Sequence, residues 1–417
     1  MKNNLQKIVS SLELLAGLKD AGIFNAQTAR TLKTAHMKRD ASHKYEQLKT
    51  AITISQMFSS PFAKPDESVD GPIRFAFAEN NQLIGMFPYD CHVLIAGQTG
   101  TGKSTLLKLI FAEAMMQGHK IVLIAKNKDL RNLISQNNNT LVINFDDTIK
   151  FNPLNPCGIP ISDYCNLFAD IFCQANNVFD GSKNYILEHL NPLYNLYTQH
   201  RTYPSLRDFY TKILSLKHPP NSRTTHYRES VLNRLGGMLY GTLGNVFDCS
   251  IGHENALLEN NCIFEIDNIT TEQQRFIVNL LLTKLFYHRK LNNNEKWMLI
   301  GIDDANLIFD ASLETRFNAD LPIIHNLLTT VRKSKINIFA CTQTPHQVGA
   351  SIHSNSFAKI MLPLSNGKDI ECMQQSMGMK DPDQKAYCYK LKPREAIVKF
   401  SSRYQDPFLA QIPEVEL

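Results

Sequence analysis

Gly97-Gln98-Thr99-Gly100-Thr101-Gly102-Lys103-Ser104 gathers glycines, one lysine and a hydroxyl into a single short loop, in the pattern G-x-x-x-x-G-K-[ST] without a departure. Glycines let a backbone curl until successive N–H groups face one point. A following helix adds the positive end of its dipole there, and such a point holds phosphate oxygens. Lys103 would reach the β- and γ-phosphates of a nucleotide, the Ser104 hydroxyl would bind Mg²⁺, and Thr105 carries the chain into the helix. Average residue usage gives a chain of 417 residues this pattern by accident on the order of 1% of the time. The loop is therefore a specific signal for nucleotide binding.

Further along, the apolar run from Trp297 to Ile302 ends in Asp303-Asp304. An apolar strand that ends in carboxylates, downstream of a phosphate loop, is the Walker B arrangement. Asp303 is assigned to the Mg²⁺ shell that Ser104 also touches, and Asp304 to orienting or deprotonating the attacking water. The plainer reading is a pair of solvated carboxylates opening a loop. Gln343 follows a third apolar run, Ile336 to Ala340, and would face the same phosphates, holding the water or sensing the γ-phosphate. Its plainer reading is a turn residue ahead of Pro345. Arg332 or Lys333, at the end of an expected helix, could offer charge to a neighbouring subunit's nucleotide as an arginine finger does. The helix dipole alone also favours basic residues there.

These groups need elements that bring them to one edge. The run from His92 to Ala96 reads as a buried parallel strand, and the apolar spacing of Leu106, Leu107, Leu109, Ile110 and Ala114 predicts a helix behind the loop. Lys120–Ile124 and Thr140–Phe145 follow as strands, with the polar stretch Lys126–Asp129 at the carboxyl end of the first. Strand and helix in alternation at this spacing predict a doubly wound parallel sheet, whose ligand lies at the carboxyl ends of the strands. Gly71–Met86 predicts two short strands around a turn at Asn80-Asn81. From about Ile161 to Leu243 the pattern turns amphipathic and helical, an all-helical insertion. The sheet resumes with Cys262–Ile266, a long helix over Thr271–Lys290, Trp297–Ile302, a helix over Asp320–Lys333 with Asp320 as its N-cap, and Ile336–Ala340. Glu395–Phe400 is expected as the last strand, with an irregular tail behind it. Residues 1 to about 60 carry helical stripes through Leu5, Ile8, Val9 and Leu12, and then Leu48 and Ile52. They fit either a hairpin packed on the main body or an oligomerisation arm. The boundaries expected are 1–65 (helical N-terminal region and linker), 66–157 and 258–417 (the two parts of a nucleotide-binding domain) and 158–257 (the insertion).

Composition sets wider bounds. A hydrophobic fraction of 43% and a charged fraction of 20% are those of an ordinary globular protein and exclude a disordered chain. The net charge of +5 permits a nucleic-acid partner without arguing for one. The best basic cluster is Lys217 to Arg234, with Lys217, Arg223, Arg228 and Arg234 against Glu229. It fits either phosphate contacts in a pore or a solvated helical face. Nine cysteines, none in a C-x-x-C pair, fit reduced thiols in a cytoplasmic protein rather than disulfides or zinc. No stretch approaches the ~18 apolar residues that span a bilayer, so a soluble protein is expected, docked at most on the periphery of an inner-membrane complex through partners.

Taken together, "HVLIAGQTGTGKST", "FNPLNP", "WMLIGIDDANLIF", "VRKSKINIFACTQTPHQVGASIHSN" and "REAIVKFSSRYQDPFLAQIP" resemble the FtsK–HerA superfamily of P-loop motors, over about residues 72–157 and 258–412. Within it the chain looks most similar to the conjugative coupling proteins and type IV secretion ATPases, which carry a helical insertion at a similar place. The resemblance implies an α/β, RecA-like P-loop NTPase with a mostly parallel sheet, an all-helical insertion and a helical N-terminal region. It implies a homo-hexameric ring that hydrolyses ATP with Mg²⁺ and moves DNA, or drives a membrane secretion channel, through its centre. Walker A carries over onto Gly97–Thr105, Walker B onto Asp303 and Asp304, and the sensing glutamine onto Gln343. The family's usual Asp-Glu is Asp-Asp here. Three functions follow as expectations: a DNA translocase in conjugative transfer or another mobile-element process, an ATPase energising secretion or pilus assembly, and a nucleotide-dependent scaffold with little turnover.

Overall fold

In the strand Val93–Ala96 every side chain is buried, and successive ones serve opposite faces: Leu94 and Ala96 join one core, Val93 and Ile95 another. This two-sided burial is why the run carries no polar residue. The computed structural model describes residues 60–417 except 137–139, 147, 179, 199–201, 293–294, 313–327, 329–330 and 415–417, and no side chains at 134–136, 198 and 331–332. The stripes expected before residue 60 and most of the helix expected over Asp320–Lys333 lie outside the described residues. Residues 62–417 form one compact unit.

The strands are β1 (Ile73–Ala78), β2 (Leu83–Met86), β3 (Val93–Ala96), β4 (Lys120–Ala125), β5 (Thr140–Asn144), β6 (Asn261–Glu265), β7 (Met298–Ile302), β8 (Ile336–Thr342), β9 (Ala358–Met361), β10 (Glu395–Phe400) and β11 (Phe408–Gln411). They make one sheet in the order β2-β1-β11-β10-β9-β3-β8-β7-β4-β6-β5. From β9 to β5 every neighbour is parallel; β10, β11, β1 and β2 extend it antiparallel. The sheet is thus mostly parallel, as expected. The tail expected to be irregular instead supplies β11, whose Leu409 and Ala410 pair with Ile397 and Ala396 and extend the apolar face. β9 and β11 are as short as β3 but carry Lys359 and Gln411, so neither shows the wholly apolar run that marks β3.

The helix Lys103–Met116 covers one face of the sheet, and Phe111 packs onto Gly301 in β7, where a Cβ would lie 2.8 Å from the Phe111 ring. The other face is covered by the helix Thr271–Leu291, buried along nearly its whole length because the insertion helices pack on its far side. Those helices are Ile161–Asn176, Asp180–Thr198, Leu206–Ser215, Arg223–Leu239, Thr242–Phe247 and Glu254–Glu259. Phe168 contacts the rings of Phe172, Phe209 and Phe276, joining three of these elements at ring distances near 6 Å. Ser205 starts the helix Leu206–Ser215 with a capping box shared with Asp208.

The segment Phe151–Pro156 ties the insertion to the sheet. Asn152 is fully buried, its amide donates to Pro204 O and Ser250 O, and its side-chain oxygen accepts from Leu154 N. Lys284 donates to the carbonyls of Asn152 (3.2 Å) and Asn155 and stands over the rings of Phe151 and Tyr164, 5.2 and 5.3 Å from their centroids. The Glu254 carboxylate accepts from Asn152 N and from the Asn155 amide. Every polar atom of this turn so far named has a partner, as a buried turn requires. No helix among the described residues is long and apolar enough to cross a membrane.

Candidate functional site: the cleft at the carboxyl ends of β3, β7 and β8

Register places the candidate residues together. β8 lies between β3 and β7, with Ala96 opposite Thr342 and Ile302 opposite Ala340. The residues that follow these ends are Gly97, Gln343 and Asp303. All leave the sheet on one edge, the position at which a parallel sheet holds its ligand. A cleft of about 600 Å³ opens there, lined by Thr99, Gly100, Gly102, Lys103, Ser104, Thr105, Asp303 and Gln343 from the expected set. Asn127, Asp129, Pro393, Arg394 and Glu414 complete the wall.

The loop itself is shaped by position-specific contacts. Gly97 has no room for a side chain: a Cβ would lie 2.7 Å from Leu362 Cβ and 2.9 Å from Thr101 Oγ1. Gly100 and Gly102 take φ of +80° and +109°, a region that suits glycine. The Thr101 hydroxyl donates to Gln98 O at 2.7 Å and braces the turn from inside. Lys103 opens the helix and folds its ammonium back onto the loop, donating to Gly97 O (2.6 Å) and Gln98 O (2.9 Å).

Charge in the cleft is balanced across it. Burial pulls the Lys103 ammonium below its ordinary value, against the opposing pull of the buried Cys341 and of Asp303 and Asp304. Burial pushes the Asp303 carboxyl up; Lys103 opposes this, while Asp304 and Asp129 add to it. Asp303 thus carries a charge that neither burial nor its acidic neighbours favour, and a cation beside it relieves both. Asp304 pairs with Lys126, which stands at the carboxyl end of β4. Gln343 reaches the phosphate loop directly: the Thr99 hydroxyl donates to its side-chain oxygen at 3.0 Å. Ser104 and Asp303 line one cleft and present hard oxygen donors, which fit Mg²⁺.

Asn306 joins the two loops that carry Asp303 and Gln343. It accepts from the Thr342 hydroxyl at 2.6 Å and donates to Thr344 Oγ1 at 2.5 Å.

The structure therefore brings the 97–105 loop, Asp303 and Gln343 to one cleft; Asp304 is not among the residues that line it and pairs with Lys126 instead. The Arg332 side chain lies outside the described residues. The basic cluster divides. Arg228 donates to Ile213 O (3.2 Å) and Leu214 O (2.7 Å), and Arg234 to Asn176 O (3.5 Å), so both occupy the C-terminal carbonyls of neighbouring helices. Lys217 and Arg223 are exposed. None of the nine cysteines forms a disulfide, and among the described residues no cluster of three His, Cys, Asp or Glu side chains is placed to hold a metal. Sequence reasoning missed Arg394, because nothing in its neighbourhood reveals that the start of β10 packs against the phosphate loop.

Comparison with known proteins agrees with this picture. The family model for Novel STAND NTPase 3 matches residues 84–156, the stretch that contains the phosphate loop. The structure of VirB4 of Thermoanaerobacter pseudethanolicus is similar at a TM-score of 0.65 and 13% identity, covering 83% of this chain and 98% of that one. The bacterial conjugative coupling protein TrwB is similar at 0.65 and 14%, covering 86% and 96%. TrwB in complex with ADP and Mg²⁺ is similar at 0.63 and 14%, with the same coverage. No curated protein sequence matches. At these identities the likeness establishes the fold alone, one shared with VirB4 and TrwB.

Proposed function

We propose that this chain is an ATP-hydrolysing motor of the FtsK–HerA type that works as a homo-hexameric ring and translocates DNA, in conjugative transfer or another mobile-element process. The observation that carries the reading is the convergence of Lys103, Ser104, Asp303 and Gln343 on one cleft at the carboxyl edge of a parallel sheet. The likeness to a conjugative, plasmid coupling protein is what suggests DNA as the cargo. In this reading Lys103 leaves the carbonyls of Gly97 and Gln98 for the β- and γ-phosphates. Ser104 and Asp303 would hold Mg²⁺, which supplies charge neutralisation on the phosphates when bound. Asp304 takes the proton of the attacking water, with Lys126 fixing its carboxylate. Gln343, held by Thr99, orients that water and senses the γ-phosphate. Arg332 of one subunit offers charge to the next subunit's nucleotide. The exposed Lys217 and Arg223 are the better DNA contacts of their cluster, since Arg228 and Arg234 cap helices.

A second reading, an ATPase that energises secretion or pilus assembly, draws on the equal likeness to VirB4. ATPase rates with and without double- and single-stranded DNA, at low and physiological salt, separate the two. The translocase reading expects a rise of roughly tenfold or more with DNA that weakens as salt increases. A rate that depends on Lys103 and is indifferent to DNA would remove the translocase reading.

A further inference from the structure

Arg394 occupies a place in the cleft that no motif announces. It immediately precedes β10 with φ +68°, a left-handed backbone conformation that an arginine adopts only under constraint. The constraint is visible. Its N–H donates to Thr101 O at 3.0 Å, and its carbonyl accepts from Ile412 N at 2.9 Å, so the backbone is pinned between the phosphate loop and the segment after β11. The side chain then passes the loop: a Cβ on Gly102 would lie 3.4 Å from Arg394 Cγ. The residue lines the cleft, and one guanidinium nitrogen pairs with Glu414 at 3.0 Å. Glu414 is 81% exposed, so this pair contributes little to holding the fold. Glycine would satisfy the same backbone without strain. The fold thus retains an arginine, at a position better suited to glycine, over a phosphate-binding loop.

We infer that Arg394 is a nucleotide-binding residue, a guanidinium that contacts the α- and β-phosphates from the side of the loop opposite Asp303 and Gln343. The inference rests on the proposed nucleotide-binding reading of the cleft. Its placement follows from the loop's own geometry. The loop N–H groups cradle the α- and β-phosphates, whereas the lysine reaches toward the γ-phosphate. Arg394 touches the loop at Thr101 and Gly102, while Asp303 and Gln343 follow β7 and β8, the strands on the other flank of β3. A planar guanidinium with five donors binds phosphate oxygens two at a time and can keep Glu414 as a further partner.

The test is titration of the full chain with fluorescent mant-ADP and with a non-hydrolysable mant-ATP analogue, both with Mg²⁺, alongside thermal unfolding. Arg394→Gly relieves the backbone and removes the guanidinium. The expected result is a loss of affinity of roughly tenfold to a hundredfold, equal for the two nucleotides, with Tm unchanged or raised. Arg394→Asn tolerates a positive φ without the added chain freedom of glycine and repeats the test, with the same loss expected. Affinity within twofold of wild type for both variants overturns the inference, as does a loss confined to the triphosphate analogue. Lys103→Ala in the same assay separates the two claims. Loss with Lys103→Ala and none with the Arg394 variants fails this inference alone; no loss with Lys103→Ala fails the nucleotide-binding reading and this inference with it.

Discussion

Lys103 and Lys284 meet similar partners in two parts of the molecule. Each donates to two carbonyls of an adjacent loop, Gly97 and Gln98 in one case and Asn152 and Asn155 in the other. Burial pulls both ammonium groups below their ordinary value. The difference lies in what else they face. Lys284 is closed in by the rings of Phe151 and Tyr164 and by Cys157, whose sulfur is 3.6 Å away, with the buried Glu254 on the same turn. Lys103 stands at the floor of a 600 Å³ cleft with Ser104, Asp303 and Gln343 in its wall. A buried cation surrounded by its own fold is an anchor. A buried cation whose remaining surroundings are hard oxygen donors and open volume is poised for a ligand.

The comparison can be broken by mutation, beginning with the largest effect. Lys284→Ala takes the charged donor from the carbonyls of Asn152 and Asn155, leaving them Asn155 N and the weak donor Cys157 Sγ, empties the space between two aromatic rings and removes the cation from Glu254. It is expected to cost about 3–5 kcal/mol of stability, read as a fall in the urea midpoint. A loss below about 1 kcal/mol would mean that the Phe151–Pro156 turn is held by other contacts. Asp303→Asn keeps the shape of the cleft and removes the charge assigned to Mg²⁺. Turnover is expected to fall by about two to three orders of magnitude, measured as kcat at saturating ATP and Mg²⁺.

The smallest effect concerns stability, and its sign is opposite. Burial raises the native Asp303 carboxyl above its unfolded value, so the native state holds that proton more tightly. Stability therefore falls as pH rises from the ordinary carboxylate value through the raised native one, and stays lowered at neutral pH. Asp303→Asn is expected to be slightly more stable than wild type at pH 7, with that part of the pH dependence flattened. Urea midpoints at pH 4 and pH 7 measure both. A variant less stable at pH 7 would show that Asp303 holds the fold rather than a ligand.

How much of this was legible in the sequence follows from element length and contact range. β3, β4, β7 and β8 were readable because each is largely apolar, the mark of burial on both faces, and each hands over to polar residues at the ligand edge. The P-loop, Asp303, Asp304 and Gln343 lie immediately after such runs. β9 and β11, as short as β3, were not read as strands because Lys359 and Gln411 interrupt the apolar run. Lys126 was visible only as part of a polar stretch; its pairing with Asp304 depends on β4 lying beside β7, which is topology. Arg228 and Arg234 look like free cations in the sequence, yet their guanidinium groups are spent on helix ends that only packing brings near. Arg394 is the extreme case, since its positive φ and its contact with Gly102 are set by strands distant in sequence.

The most direct measurement is steady-state ATP hydrolysis by the chain and by Lys103→Ala, each checked by thermal unfolding. The account predicts Mg²⁺-dependent turnover for the wild type, a loss of about a hundredfold or more in the variant, and a folded variant whose stability falls far less than that of Lys284→Ala, since the groups Lys103 leaves behind border an open cleft. Equal turnover in the two proteins, or a variant that loses its fold along with its activity, would contradict the assignment of Lys103 to the ligand.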